Sequence, residues 1–161
     1  MALHSEDCLG ISAFAGELEM GVLIRDIQEI IEPVQPLFIP VTDPFFSGLI
    51  SIRGSIIPVL SLRSVFHVSK QSFSNKDNKY VVCVSGSEKI AISVDAVGDP
   101  FRFAPEDLNE VTEKTDELMF KLLPKSVQLD KKRLPMLSIP DLIQYGTRLN
   151  TKKREEAGYI S

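Results

Sequence analysis

Apolar residues in this chain come in short runs punctuated by glycine, proline and charge. Residues 9–14 and 18–24 are apolar segments on either side of a Gly16 turn. Runs of this length, bounded by turn residues, predict β-strands rather than helices. Residues 26–31 fit either element. As a strand they place Ile27, Glu29 and Ile31 on one face, and Glu32-Pro33 stops the chain too soon for a helix, so strand is the preferred reading. Pro36, Pro40 and Pro44 mark a connecting stretch. Residues 49–52 and 56–60 are rich in β-branched side chains, and Arg53-Gly54-Ser55 between them predicts a tight hairpin. Residues 80–84 and 89–94 predict a second hairpin around Ser85-Gly86-Ser87, and residues 127–129 and 134–137 a third around residues 130–133.

The segments between are polar. Residues 67–79 (HVSKQSFSNKDNK) read as a linker or long loop. Residues 104–118 hold six acidic residues against one lysine and read as a solvated loop with a helical turn. The tail from Thr147 is charged and is expected to fray.

An internal echo organises these elements. Residues 58–66 read PVLSLRSVF and residues 135–143 read PMLSIPDLI, an offset of 77 from Pro58 to Pro135. The match extends backwards, pairing Ile50 with Val127, Ile52 with Leu129 and Ile57 with Leu134. Each copy reads as hairpin, strand, then short helix. Ser61 and Ser138 stand where strand gives way to helix, and a serine hydroxyl there caps the first turn, worth about 1 kcal/mol. Asp141, three residues after Ser138, makes a variant capping box, and Gly146 is the expected C-terminal stop. The repeat predicts two half-domains of similar build, and short evenly spaced strands with few helices predict small barrels.

Composition narrows the function. The chain has 161 residues, 43% of them hydrophobic, enough for one ordinary domain or two very small ones sharing an interface. A net charge of −4 argues against a general nucleic-acid binder. No apolar run reaches the roughly 18–20 residues that span a bilayer, and His4, Glu6 and Asp7 leave no signal-peptide pattern. Cys8 and Cys83 imply no disulfide framework, so a reducing cytosol is the simplest setting.

Catalytic chemistry is hard to find. His4 and His67 have no cysteine or carboxylate at ligand spacing, and both read as surface residues; His67 sits where a helix end suits a cation. Walker, dinucleotide-binding and nucleophile-elbow motifs are absent. Asp95 ends an apolar strand and reads as a carboxylate bonding a nearby backbone N–H rather than a general base. Glu29 and Arg53 each interrupt an apolar strand context. Either they satisfy each other across neighbouring strands or both face water; the residues alone leave the two readings open.

The stretch I27-Q-E-I-I, then I39-P, then G48-L-I-S-I-R-G-S-I-I-P-V-L-S-L-R63 resembles the CheW family, as does I90-A-I-S-V-D95-A-V97 in the second half. The family pattern is V-x-E-V/I, a proline-containing link, G-x-x-N-L-R-G-x-I-x-P-V-x-D-L-R, and G-x-x-V-D-x-V. The resemblance implies a mainly β fold of two intertwined five-stranded SH3-like barrels with short helices. One domain is expected over residues 8–146: a first barrel at 8–66, the linker at 67–79, a second barrel at 80–138 and a closing helix at 139–146, followed by the tail at 147–161. It also implies a non-catalytic adaptor without cofactor or metal. Such an adaptor joins the cytoplasmic tips of methyl-accepting chemoreceptors to the regulatory domain of a CheA-type histidine kinase. It is cytoplasmic and recruited to membrane-associated receptor arrays, without membrane insertion or nucleic acid. Ile27, Glu29, Ile30, Ile52 and Arg53 fall on the family positions beside a receptor groove between the barrels, and Gly48, Leu49 and Gly54 are the kinase-interface candidates. Departures are Ser51 and Ser61 for a family Asn and Asp, and Lys125, Pro135 and residues 130–133 around the last hairpin. They keep open a stand-alone SH3-like module serving another two-component or motility system.

Overall fold

The computed structural model describes residues 7–40, 42–68, 74–112 and 116–158. Eleven strands and three α-helices are described: β1 (Cys8–Ala15), β2 (Leu18–Leu23), β3 (Ile27–Ile31), β4 (Phe46–Ile52), β5 (Ser55–Ser61), α1 (Leu62–Val65), β6 (Lys79–Ser85), β7 (Glu88–Val94), β8 (Ala96–Phe103), β9 (Leu108–Glu110), α2 (Glu117–Leu122), β10 (Lys125–Gln128), β11 (Arg133–Met136) and α3 (Ile139–Glu156). The strands form a five-stranded sheet in the order β3-β6-β7-β5-β4 and a six-stranded sheet in the order β8-β1-β2-β11-β10-β9. Residues 26–31, ambiguous in sequence, are a single 3-10 turn at Ile24–Asp26 followed by strand β3.

The expected barrels at 8–66 and 80–138 need one correction. The five-stranded sheet is one continuous stretch, β3 to β7, and the six-stranded sheet combines β1 and β2 with β8 to β11. β1 and β2 join the strands of the second half, and β6 and β7 join those of the first. The chain crosses between sheets twice, after β2 and after β7. Hairpin signals cannot reveal this, because they fix which neighbours pair and not which sheet a hairpin enters.

Strand registers show that the echo covers both halves. In the β1–β2 hairpin Ser12 faces Gly21, and in β6–β7 Val82 faces Ala91, each shifted by 70 residues. β1 pairs with β8, and β6 with β3, at the same shift and with a bulge at the same place. Gly16 and Gly86, also 70 apart, turn the two hairpins with φ of 59° and 61°, the left-handed region that glycine enters freely. In the last hairpins Ile50 faces Ile57, and Val127 faces Leu134, at the 77-residue shift read from the sequence. The parallel contacts Val59–Ala91 and Met136–Gly21 join the two kinds of unit identically. The seven extra residues lie in the connection that carries α2 and β9.

Each sheet encloses its own small apolar cluster. Ile50, Ile57, Val59, Val82 and Ala91 fill the five-stranded sheet, and Phe103, Val127 and Met136 the six-stranded one. The opposite faces share a larger cluster that includes Met20, Val22, Leu60, Val81, Ile92, Leu122, Ile139 and Leu142. Removing that apolar surface from water holds the two units against each other, at roughly 25 cal/mol per Å².

Two loop expectations change. Residues 104–118 contain a 3-10 turn at Pro105–Asp107, the edge strand β9, and the start of α2, whose N-cap Asp116 accepts from the N–H groups of Leu118 and Met119. β9 gives this sheet a sixth strand where five were expected; its three residues, Leu-Asn-Glu, carry no usable alternation. The helix expected to stop at Gly146 continues to Glu156. Gly146 instead lies buried with open contact to the rings of Phe45 and Phe46. One glycine inside a helix costs about 1 kcal/mol, too little to end it. The stop is Gly158, with φ of 85° and its N–H on the Glu155 carbonyl. In the expected linker, residues 69–73 lie outside the described residues, and Ser74 caps a short 3-10 turn at Asn75–Asp77.

Candidate functional site

The β4–β5 hairpin turns on Arg53 and Gly54, both at positive φ, 50° and 83°. That pairing is the signature of a type I′ turn, which suits the twist of a hairpin but favours Asn or Gly at its first position. An arginine there is uncommon and strained. Its guanidinium reaches back to Glu29 on β3: Nε donates to Oε2 at 3.0 Å and Nη2 to Oε1 at 3.4 Å. Of the two open readings, mutual satisfaction is the one observed. β3 and β4 are opposite edges of the five-stranded sheet, so this ion pair spans the closure of the barrel. The Arg53 hydrogen bond, helped by Gln28, holds the Glu29 carboxyl below its ordinary range. The same bond raises Arg53 further above its own. The Arg53 side chain remains 78% exposed, and an ion pair this open adds little to stability.

The apolar candidates are dispersed. Ile27 packs on the shared cluster, Ile52 on the interior of the five-stranded barrel, and Ile30 is exposed on the outer face. Leu49 is half-buried and exchanges two backbone hydrogen bonds with Leu37, of 2.7 and 2.9 Å. Gly48 and Gly54 serve the backbone. Gly48 is buried at φ of 133°, and a Cβ there would run into the Leu37 carbonyl.

An apolar strip on this barrel carries no simple sequence signal. Ile50, Ile57 and Val59 point inward, so their neighbours Leu49, Ile56 and Pro58 point outward. Leu37, opposite Leu49, is 72% exposed, Phe38 78% and Ile56 65%. Two of these sit in the proline-marked link, where apolar residues have no period to betray them. Tyr80 anchors the start of that link, its hydroxyl donating to the Val34 carbonyl at 2.9 Å.

Asp95 behaves as its sequence position implies, with one addition. Its Oδ2 accepts from the Gly16 N–H at 2.6 Å, and its Oδ1 pairs with Arg63 of α1 at 2.8 Å. Ser61 caps α1 by accepting from the Ser64 N–H. Ser138 donates to Asp141 at 2.6 Å, so the second capping box closes side chain to side chain. His67 is exposed just past α1 at φ of 54°; His4 lies outside the described residues. Burial, then the charge of Asp26, pushes the Cys83 thiol up to about 12. Among the described residues, no group of three histidine, cysteine or acidic side chains is placed to hold a metal ion. Nor is any helix long and apolar enough to cross a membrane.

The family model of the CheW-like domain matches residues 10–146. The chain belongs to the CheW-like domain family. The chemotaxis protein CheW of Klebsiella aerogenes is 29% identical over 129 residues, 80% of this chain and 76% of that protein. The chemotaxis protein CheW of Helicobacter pylori is 27% identical over 103 residues, 64% of this chain and 62% of that protein. For the chemotaxis protein CheW of Treponema pallidum the identity is 23% over 111 residues, 67% and 65% of the two chains. The scaffolding protein TtCheW from Thermoanaerobacter tengcongensis superposes with a TM-score of 0.71 over 83% of this chain and 89% of that one, at 24% identity. The CheW-like domain described here therefore has the SH3-like two-barrel fold, with the Glu29–Arg53 pair on its five-stranded barrel.

Proposed function

We propose that this chain is a non-catalytic chemotaxis adaptor that couples methyl-accepting chemoreceptors to a CheA-type histidine kinase by binding both. It works in the cytoplasm, is recruited to membrane-associated receptor arrays, and uses no cofactor. The supporting observation is the rim of the five-stranded barrel. A strained, exposed arginine is held by Glu29 beside exposed Leu37, Phe38 and Ile56. The fold gains little from either feature, and exposed apolar strips with a fixed charge at the edge are what protein partners cover. In this reading the kinase regulatory domain covers the strip at Leu37, Leu49 and Ile56, and the receptor tip enters the groove between the barrels beside Ile27, Ile30 and the Glu29–Arg53 pair. Each contact is modest, and array multivalency strengthens both.

Retention of the chain on an immobilised kinase regulatory domain, and separately on a receptor tip fragment, tests the reading. Wild type is expected to be retained on both, and Ile56→Asp to lose the kinase domain while keeping its melting temperature. A folded wild type that neither bait retains overturns the coupling role and favours a module with another partner, the reading that the altered last hairpin keeps open.

A further inference from the structure

The two crossovers between the barrels occupy equivalent places but are built differently. At the crossover after β7, Asp95 is almost fully buried and ties three elements: the Gly16 N–H of the β1–β2 turn, Arg63 of α1, and, through its own N–H, the Phe14 carbonyl of β1. At the 70-residue shift the counterpart of Asp95 is Arg25, and the counterpart of Gly16 is Gly86. At the 77-residue shift the counterpart of Arg63 is Pro140. The tie therefore has neither its carboxylate nor its guanidinium at the second crossover, and among the described residues no ion pair or side-chain hydrogen bond replaces it. Open space flanks Pro140 instead. A cavity of about 420 Å³ separates the β6–β7 turn at Ser85 and Glu88 from α3, and one of about 340 Å³ lies between Arg25 and Ser138.

We infer that the two barrels are hinged on one side: movement between them pivots about the Asp95–Arg63–Gly16 tie and opens at the Arg25–Pro140 junction. Packed barrels move as rigid bodies, and relative motion concentrates where few directional contacts cross the interface. A molecule bound between the barrels with unequal affinity for the open and closed forms shifts their populations. The hinge itself needs no partner, so its test stands apart from the adaptor role.

Equivalent exposed positions allow a matched measurement. Spin labels at Glu17 and His67 straddle the tied junction, and labels at Ser87 and Gln144 straddle the open one at the same two shifts. Both pairs are placed in a Cys8→Ser background, where the remaining native thiol, Cys83, is buried. Pulsed electron-spin distance measurements are expected to give a narrow distribution for the first pair and a broader one for the second. Arg63→Ala, verified as folded by circular dichroism, is expected to broaden the first pair and leave the second unchanged. Equal widths in the parent protein, or a first pair unmoved by Arg63→Ala, overturn the hinge. If Arg63→Ala does not fold, Arg63→Lys keeps the charge but loses the fork geometry and is expected to broaden the first pair to a smaller extent.

Discussion

The two barrels share a plan and differ in how they fill and close it. In the five-stranded barrel the interior positions of β6 and β7 are Tyr80, Val82 and Ala91, opposite a modest Ile31. The equivalent positions of the six-stranded barrel are Gly10, Ser12 and Gly21, and the volume is returned by Phe101, where the other barrel has Ile31. At the rim, Glu29 and Arg53 have Asp99 and Asp130 as counterparts, two acids that cannot pair. Interior volume is conserved by exchange between facing strands, because a core tolerates redistribution but not voids. Rim charge is under no such packing constraint. The paired registers carry the shared architecture, and the two barrels differ at their edges.

The largest effects come from breaking what the barrels share. Ile57→Ala and Leu134→Ala remove equivalent, fully buried side chains, and each is expected to cost about 2–5 kcal/mol in denaturant unfolding. Similar losses support the equivalence; a cost confined to one barrel breaks it. Next comes the exchange of volume. Gly10→Val drives a side chain into the Phe101 ring and is expected to destabilise by about 1–3 kcal/mol, as overpacking does. Adding Phe101→Ile, the residue of the other barrel, is expected to recover part of that loss, and an additive double mutant would contradict the exchange.

Smaller effects concern single groups. With its thiol pushed up to about 12, Cys83 is expected to resist thiol reagents at neutral pH until the protein unfolds. Labelling of native Cys8→Ser protein would show that the shared cluster opens. The smallest effect is at the rim. The Glu29 carboxyl is held down by Arg53, so what the pair contributes is present above the ordinary carboxylate range and is lost as pH falls through the lowered value. Carbon-detected titration is expected to show Glu29 moving up in Arg53→Ala, with little change in stability.

Much of this was legible in the residues. Alternating apolar runs located the hairpins, and the 77-residue echo gave the last hairpin of each half to the residue. The 70-residue shift was not, because its two copies share almost no side chains: Gly10, Ser12 and Gly21 against Tyr80, Val82 and Ala91. The exchange of strands between sheets was hidden for a different reason, since hairpin chemistry is local and sheet membership is not. At the site, Glu29 and Arg53 were visible as charges in apolar surroundings. Arg63 was hidden in a helical turn and Leu37 and Phe38 in a proline-marked link, where no period separates an exposed apolar residue from a buried one.

The coupling role is tested most directly by reconstitution. Vesicles carrying a chemoreceptor are mixed with a CheA-type kinase, with this chain or its Arg53→Glu variant added, and kinase autophosphorylation is followed with and without attractant. The account predicts that attractant changes kinase activity only when the wild-type chain is present, and that the folded variant fails to restore that response. Attractant control that is the same with and without the chain, in preparations where the chain is folded and in excess, would contradict it.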